Sequence, residues 1–318
     1  MPAEKNLDNL AAGLHPVLNE VSLGYRAQSL IYGEILPELI VPVETVQIES
    51  FGHDAFVVVN DERSPRNDPK RIVTSDSSFG DVTLREHSLE ELIDVREIRA
   101  AKTRPGGEVD IESRKTKVLQ HRIELRKEVL CAGMVTNAGI YPADNKDTLT
   151  STAKWSHDSS DPQVAILAAA EAIRRGTGGQ QPNRLMLPVP VFNRLRTHPK
   201  VRAAFAYQKG SLPTADDLVT YFGIPGLQIV LGSAATMTRD GGTITDVWSD
   251  FVLLYYRNPV NEKEAPTFGW TLRLNDPQFQ RVRTYDTANG KGRVVQVNDF
   301  YAHYVALAKA GFLWTDAL

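Results

Sequence analysis

One segment, residues 110–136, most constrains how this chain can fold. It reads DIESRKTKVLQHRIELRKEVLCAGMVT, and neither Pro nor Gly interrupts it before Gly133. About 24 residues can therefore form one helix of roughly 36 Å, with Asp110 as its predicted N-cap. Charged side chains surround most of its first turns, and only its last turns are apolar. Because a globular helix normally buries an apolar stripe, this helix must bridge surfaces or be covered by something other than its own core.

Length and composition are those of a folded protein with about two domains. The 318 residues are 42% hydrophobic and 24% charged, with a net charge of -3. That charge argues against tight general affinity for nucleic acid, which needs clustered positive groups. No apolar run is long enough to span a membrane, and the first residues do not form a signal peptide. The single cysteine, Cys131, excludes an intrachain disulfide, so a reducing cytoplasm is the expected place of folding.

The first part of the chain predicts an arm followed by a long hairpin. Residues 1–45 contain apolar side chains without a persistent period, and two prolines favour an extended segment near their end. Strand-like segments at 43–51, 53–60 and 72–87 flank a polar tip, NDERSPRNDPKR, at 60–71. A hairpin is marginal in water by itself, so this one should be supported by a neighbouring surface.

Capping signals predict two helices that flank the long polar segment. Ser88 and Glu91 form a Ser-x-x-Glu capping box that would start a short helix. Asp161 and Pro162 supply an N-cap and a first-turn proline for an Ala-rich helix that ends at Gly176.

Short elements alternate after residue 182. Residues 183–189 and 227–232 are predicted strands, residues 190–198 form a short helix, and Thr214 caps a helix that ends at Gly223.

The C-terminal part is predicted to be rich in strands. Residues 233–245 should form a loop, and residues 246–257 form an apolar run typical of a strand buried on both faces. Residues 267–274 alternate cleanly, with Trp270 on an apolar face, and residues 293–314 are again strand-like.

The sequence offers no credible active site. It lacks the phosphate-binding loop, the His-Glu-x-x-His helix, the Gly-x-Ser-x-Gly elbow and the dinucleotide-binding glycine pattern. The seven histidines show no ligand-like spacing, and His157, beside Asp158 and Asp161, is best interpreted as part of a surface loop. We therefore expect no catalytic residue, no metal ligands and no cofactor.

The remaining candidate residues have structural interpretations. The glycine-rich residues 176–179 follow a helix instead of opening one, which is typical of a C-cap and not of a phosphate site. Trp155, Trp248 and Trp270 are interpreted as core anchors, and Cys131 as a small buried hydrophobe.

The hairpin tip carries charges of both signs. Its bases and acids are Arg63, Arg66, Lys70, Arg71, Asp61, Glu62 and Asp68. Because these charges offset one another, a solvated or protein-docking loop is a better interpretation than a nucleic-acid patch.

A series of structural motifs lies between Trp155 and Leu274. A helix leads into a Thr-Gly turn and a Pro-Asn pair, a short helix ends near His-Pro-x-Val, and a Phe-Gly-Ile helix end precedes a Val-Trp-x-Asp strand. The motif residues are Thr177, Pro182, Asn183, His198, Pro199, Val201, Leu218, Phe222, Gly223, Ile224, Val247, Trp248 and Asp250. Together with the arm, the hairpin and the polar helix, they resemble the major capsid proteins of tailed double-stranded DNA bacteriophages, which have the Hong Kong 97 type fold. The resemblance covers essentially the whole chain.

The resemblance implies an α+β fold in four parts. They are the N-terminal arm (1–45), the E-loop (46–88), the P-domain (89–180 and 268–318, with the spine helix at about 110–134) and the A-domain (181–267). In such shells the E-loop and the arm lie across neighbouring subunits, so the charged tip would form an intersubunit contact.

The implied function is that of a structural subunit, not an enzyme, that self-assembles into an icosahedral head shell around the phage genome. Expected partners are further copies of the chain in pentamers and hexamers, the portal, and as further candidates a separate scaffolding or decoration protein. Contact with the packaged double-stranded DNA should be weak, non-specific and salt-sensitive. The expected location is the virion, after assembly in the host cytoplasm, without membrane association.

Two alternatives stay open at this point. An encapsulin-like cellular nanocompartment would share the fold and would need a cargo-docking surface. An unrelated soluble enzyme would need a convergent polar site.

Overall fold

The structure, a computed structural model, describes residues 30–50, 62, 68, 71, 78–102, 107–206, 212–237, 242–260, 267–275 and 281–318. Helices and strands both occur throughout this part, as the predicted α+β class requires. None of the helices described has the length and apolar character needed to cross a bilayer.

Helices and strands are numbered in chain order. The helices are α1 (Tyr32–Ile35), α2 (Val95–Lys102), α3 (Gly107–Val135), α4 (Pro162–Gly176), α5 (Val189–Thr197), α6 (Pro199–Phe205) and α7 (Ala215–Phe222). The strands are β1 (Glu38–Val41), β2 (Thr45–Ser50), β3 (Ser78–Thr83), β4 (Arg85–Asp94), β5 (Lys146–Thr148), β6 (Arg184–Pro188), β7 (Gln228–Gly232), β8 (Ala235–Met237), β9 (Ile244–Asp246), β10 (Phe251–Tyr255), β11 (Gly269–Leu274), β12 (Val282–Asp286), β13 (Gly292–Val305) and β14 (Gly311–Thr315).

The first sheet is built around the long strand β13. β11 and β12 pair with successive stretches of one edge of β13, β4 pairs with its other edge, and β1 lies beyond β11. β1 is parallel to β11 and confirms the extended segment predicted between the two prolines. β4 and β13 pair without interruption from Arg85↔Tyr301 to Gly292↔Asp94.

The Ser88 capping box predicted from the sequence is wrong. Ser88 lies within β4, and the helix that follows begins only at Val95. Ser88 Oγ donates to Asn298 Oδ1 at 2.6 Å, while Glu91 accepts from Lys115 Nζ at 2.5 Å. Pairing with β13 along the whole strand outweighs the local helix signal, because strand formation depends on context more than on local propensity.

The spine helix α3 lies against the first sheet. It begins at Gly107, so Asp110 lies inside the helix and is not its N-cap, contrary to the prediction.

The covering of α3 also differs from the sequence-based expectation. Six polar residues of α3 were expected to need a covering surface from outside the chain's own core. All six are buried within this chain: Glu112, Thr116, Gln120, Glu124, Lys127 and Glu128. The apolar residues Leu119 and Ile123 join Ile93, Val295 and Val297 in a small cluster between helix and sheet. The helix is therefore covered by its own first sheet through a mixed polar and apolar face.

The second sheet forms the main core. Its strand order is β5-β14-β10-β6-β7. Successive residues of β6 and β10 alternate between two apolar clusters, one with helices α4, α5, α6 and α7, the other with α1 and the end of α3. Every residue of β10 is buried, which confirms the strand predicted to be covered on both faces.

The four tryptophans all lie inside the protein. Trp155 and Trp314 belong to the apolar cluster that contains helices α4 to α7, and their ring centroids are 5.6 Å apart. Trp248 belongs to the cluster around the end of α3, and Trp270 to a cluster beneath the long hairpin.

Two predicted helix boundaries are confirmed by their hydrogen bonds. The Asp161 side chain accepts from Val164 N at the start of α4. Thr214 and Asp217 form a reciprocal capping box at α7, which ends at Gly223 in the left-handed conformation. The predicted loop at residues 233–245 is instead partly a short hairpin, because β8 pairs with β9.

Candidate intersubunit interface

The base of the long hairpin is fixed to its own subunit. β2 and β3 pair from Thr45↔Thr83 to Ser50↔Ser78 and bury one apolar face. The buried residues of this face and of the sheet beneath it are Val41, Val46, Ile48, Leu84, Trp270 and Leu272. The support that the hairpin was predicted to need is therefore supplied, at its base, by β1 and β11 of the same chain.

The predicted contact residues at the hairpin tip fall largely beyond the part of the chain that the structure describes. Glu62, Asp68 and Arg71 are exposed. Outside the described residues lie Asp61, Arg63, Arg66, Lys70 and the predicted strand 53–60.

A buried polar cluster, here called the spine junction, lies where α3 meets the arm and the first sheet. It comprises Tyr32, Glu124, Lys127, Glu128, Asp299 and His303. The junction was not predicted as a site.

Lys127 is the central charge of the spine junction. Its Nζ lies 2.7 Å from Asp299 Oδ2 and 3.1 Å from Glu124 Oε1, and 5.0 Å from the centroid of the Tyr301 ring. Burial disfavours the ammonium, but attraction to Asp299 and Glu124 outweighs it and raises the pKa of Lys127 above its usual value. The side chain therefore stays charged although it is fully buried.

Asp299 is shared by three cations. Besides Lys127, Arg273 Nε lies 3.2 Å from Asp299 Oδ1, and Arg281 Nη2 lies 3.3 Å from Oδ2. The carboxylate joins the spine helix to two further parts of the first sheet, because Arg273 is on β11 and Arg281 precedes β12.

Glu128 binds the arm. Its carboxylate accepts from Ile31 N at 3.0 Å and from Tyr32 N at 2.8 Å, and also from Trp248 Nε1. Burial raises the pKa of Glu128, and the three donors oppose that rise. One side chain thus connects the arm, the spine helix and the segment that leads into β10.

His303 completes the junction on the sheet side. Its Nε2 donates to Lys127 O at 3.1 Å, and its Nδ1 lies 3.0 Å from Thr271 Oγ1. Burial lowers the pKa of His303 to about 4, and the nearby Lys127 cation acts in the same direction. The imidazole is therefore neutral at physiological pH, with Nδ1 available as an acceptor.

The sequence carries a signal for this junction. Glu112, Thr116, Gln120, Glu124 and Glu128 recur at intervals of four residues, which places them along one side of a helix. Such a polar stripe predicts a buried network only when its partners are known. Asp299 and Arg293, which pairs with Glu112 at 2.9 Å, come from a distant part of the sequence.

The residues considered for metal or acid-base chemistry make structural contacts. Asp161 caps α4 and pairs with Lys200 at 3.0 Å, and Asp158 pairs with Arg194 at 2.8 Å. His157 Nδ1 accepts from Ser159 N at 3.2 Å in an exposed loop. Among the described residues, no group of three or more His, Cys, Asp or Glu is arranged to hold a metal ion.

Comparison with known proteins places this architecture in one family. The family model of phage major capsid protein E matches residues 85–258. The major capsid protein of Burkholderia phage BcepMu is 28% identical over 307 residues, covering 94% of each chain.

Solved structures agree on the fold. A phage-related protein from Bordetella bronchiseptica RB50 is similar with a TM-score of 0.78 and 28% identity, covering 96% of this chain and 97% of its own. The mature capsid of bacteriophage PhiM1 is similar with a TM-score of 0.56 at 15% identity, over 92% of this chain and 88% of its own, which shows the fold alone.

The predicted resemblance is therefore confirmed, and the encapsulin-like alternative is less supported than the phage shell. This chain belongs to the phage major capsid protein E family, has the Hong Kong 97 type fold, and is a major capsid protein that forms the phage head shell.

Proposed function

We propose that the chain assembles with copies of itself into an icosahedral shell around double-stranded DNA, and that the E-loop tip makes an essential contact between subunits. The observation that carries this proposal is the hairpin itself. Its base is anchored on β1 and β11, whereas residues 60–71 contain no apolar side chain that could join a core.

The four-part division is also a proposal. It assigns residues 1–45 to the arm, 46–88 to the E-loop, 89–180 with 268–318 to the P-domain, and 181–267 to the A-domain. The second sheet takes β5 and β14 from the segments assigned to the P-domain. The two domains would therefore share a sheet and move as one rigid body.

The spine junction supports a rigid subunit with a defined arm. Glu128 fixes the backbone at Ile31 and Tyr32, so the direction in which the arm leaves the subunit is set by the spine helix. In a shell, an arm and a hairpin that both leave a rigid body would each reach a neighbouring copy.

The remaining partners belong to the same proposal. Subunits would gather in pentamers and hexamers, with the portal at one vertex and a separate scaffolding or decoration protein as a further candidate. Assembly would take place in the host cytoplasm. DNA contact would be weak and salt-sensitive, because the net charge of -3 gives no strong general attraction to phosphates. We propose no catalytic role and no cofactor, in keeping with a structural family.

Shortening the E-loop tip tests the proposal. Residues 60–71 are replaced with a short Gly-Ser link, which should change the free energy of unfolding of the subunit by no more than about 1 kcal/mol, because only a surface loop is shortened. Assembly should fail or give aberrant shells. The measurements are thermal melting of the subunit and electron microscopy of the assembly reaction.

A second variant separates charge from length. It keeps the full tip but carries Arg63→Ala, Arg66→Ala, Lys70→Ala and Arg71→Ala, and it should also assemble poorly. Regular, stable shells from the shortened protein would overturn the proposed role of the tip.

A further inference from the structure

The spine helix α3 keeps its acids on the side that faces the protein interior. Past its first turn these acids are Glu112, Glu124 and Glu128, and all three are buried. Each is bound within the chain: Glu112 to Arg293 at 2.9 Å, Glu124 to Lys127 at 3.1 Å, and Glu128 to the backbone of the arm. Their negative charge is therefore used inside the subunit and does not offset charge on the outer side of the helix.

The outer side of α3 carries bases and no acid. The charged residues that are exposed between positions 111 and 130 form a row, here called the basic stripe: Arg114, Lys117, Arg122 and Arg126. Their spacing places them around the side of the helix that faces away from the first sheet. Among the residues that the structure describes, no acid forms an ion pair with Lys117, Arg122 or Arg126. These three cations therefore need counter-charges from outside the subunit.

Helix α2 extends the same positive surface. It packs against α3, and Ile98 of α2 and Ile111 of α3 contact the same small apolar cluster. The exposed charged residues of α2 are three bases and one acid: Arg96, Arg99, Lys102 and Glu97. Since the whole chain has a net charge of -3, the positive charge on these two helices is a local concentration and not a general property of the protein.

The dimensions and chemistry of the basic stripe fit a polymer of phosphates. Arg114 and Arg126 are twelve residues apart, which is about 18 Å along a helix. A DNA duplex carries about ten phosphates over that length. Three of the four bases are arginines, whose planar guanidinium can bind a phosphate through two hydrogen bonds.

A protein partner fits this surface less well. Val118 is the one apolar residue that is exposed between positions 111 and 130 of α3, and protein interfaces depend on apolar or aromatic anchors at their centre. Contact with a phosphate backbone needs only positive charge at suitable spacing.

We propose that the basic stripe is the surface through which the subunit contacts the phosphate backbone of double-stranded DNA. This inference rests on the proposed function, which places the duplex inside the shell, and it assigns the outer side of α3 to the shell interior. Such contact carries no sequence information, because phosphates are the same at every base pair. It is weak for one subunit and is repeated in every copy.

Neutralising the stripe tests the proposal on the unassembled full chain. The stripe variant is Lys117→Gln, Arg122→Gln, Arg126→Gln, and binding is followed by the fluorescence anisotropy of a labelled short duplex between about 50 and 200 mM salt. At the lowest salt the stripe variant should bind at least about tenfold more weakly than the wild type, and the salt slope should fall by up to about 3, one for each lost phosphate contact. Its melting temperature should stay within about 2 °C of the wild-type value, because the three residues are exposed.

The matched control removes the same number of positive charges from another surface. Arg174→Gln, Arg175→Gln, Arg202→Gln changes exposed bases on α4 and α6 and should bind the duplex within about twofold of the wild type. Equal weakening in the stripe and control variants would show that net charge alone governs binding and would overturn the stripe. Wild-type affinity and salt slope in the stripe variant would overturn it as well.

Poly-glutamate distinguishes DNA from an acidic protein segment. At equal salt and equal charge concentration, poly-glutamate should displace the duplex only weakly, because carboxylates on a flexible chain do not match the fixed phosphate array of a duplex. If poly-glutamate binds the wild type more tightly than the duplex does, and the stripe variant loses that binding, the stripe belongs to an acidic protein partner and the DNA proposal is wrong.

Failure of this inference is separable from failure of the proposed function. The stripe variant should still build closed shells, visible by electron microscopy, because the stripe is assigned to DNA and not to a contact between subunits. If wild type and stripe variant both form shells but bind the duplex equally, the shell function stands and the stripe is wrong. If the wild type forms no shells, the shell function is wrong, whatever the DNA measurements give.

Discussion

Lys127 and Glu128 occupy adjacent positions on the spine helix and bind different parts of the molecule. Lys127 pairs with Asp299 on the first sheet, whereas Glu128 accepts from the arm backbone and from Trp248. Charges buried in this way are costly to desolvate and add little net stability as pairs. Their geometry is specific, however, so we infer that they fix how the helix, sheet and arm fit together.

Removing the cation of the spine junction should be strongly destabilising. Lys127→Met leaves Asp299 and Glu124 without their central partner in a buried site, which should lower the free energy of unfolding by about 3–5 kcal/mol. Urea unfolding of the unassembled subunit measures this loss.

A surface lysine on the same helix is the matched control. Lys115 pairs with Glu91 at 2.5 Å, and both side chains are about one-third exposed. Lys115→Met should therefore cost only about 0–1 kcal/mol. Equal losses for the two variants would contradict the buried role of Lys127.

His303 should make stability dependent on pH. Its folded-state pKa of about 4 lies below the ordinary value of 6.5, so the unfolded chain takes up the proton first. Stability is then fully present above about pH 6.5 and is lost as pH falls toward about 4, by up to about 3 kcal/mol. His303 faces Lys127, Thr271 and the rings of Tyr32 and Tyr301, and Asp299 lies across the same junction.

The contribution of this one group can be isolated by substitution. His303→Gln should be less stable than the wild type at pH 7 but should lose less stability between pH 7 and pH 4. The free energy of unfolding is measured by urea titration at each pH. Parallel pH profiles for the two proteins would rule out the assigned role of His303.

At the scale of elements, the long hairpin depends on the strand beneath it. Trp270 on β11 is 1% exposed and packs in the cluster that holds Val46, Ile48 and Leu84. The hairpin base therefore packs as a layer on the first sheet, and one apolar cluster holds it there.

Trp270→Ala should destabilise the subunit and loosen the hairpin base. The expected loss is about 3–5 kcal/mol, the range for truncating a fully buried tryptophan. Ile40→Ala on the neighbouring strand β1 is the control: Ile40 is 62% exposed, and its truncation should stay within about 0.5 kcal/mol. Urea unfolding and electron microscopy check the two effects. A soluble Trp270→Ala variant that assembles normally would show that this strand does not support the hairpin.

Elements with strong local signals were predictable from the sequence. The capped helices α4 and α7 and the apolar strand β10 follow from boundary residues and burial pattern alone. The Ser88 box failed because β4 is held by pairing with β13, a partner that no local signal reveals.

The candidate site was predictable only in part. The opposite charges of the tip predict a contact segment, because charged residues without an apolar neighbour cannot build a core, and this stays a prediction. The spine junction could not be predicted, since the burial of Lys127 depends on Asp299 from a remote strand. Burial of the polar stripe within this chain corrects the expectation that something other than its own core covers the spine helix.

At the scale of the whole molecule, the described part of the chain is held together as one body. The two sheets and the spine helix are joined by the apolar clusters and the spine junction. The hairpin base is anchored on this body by a further apolar cluster. Each contact between subunits is weak by itself, but a closed shell repeats it in every subunit, so small differences in contact energy are multiplied.

The most direct test of this account is electron cryomicroscopy of particles assembled from the purified full chain. We expect closed icosahedral shells in which the hairpin of each subunit crosses onto the neighbouring subunit, while the arm, spine helix and first sheet keep the contacts of the spine junction. Discrete small oligomers, or shells in which every hairpin lies on its own subunit, would contradict it.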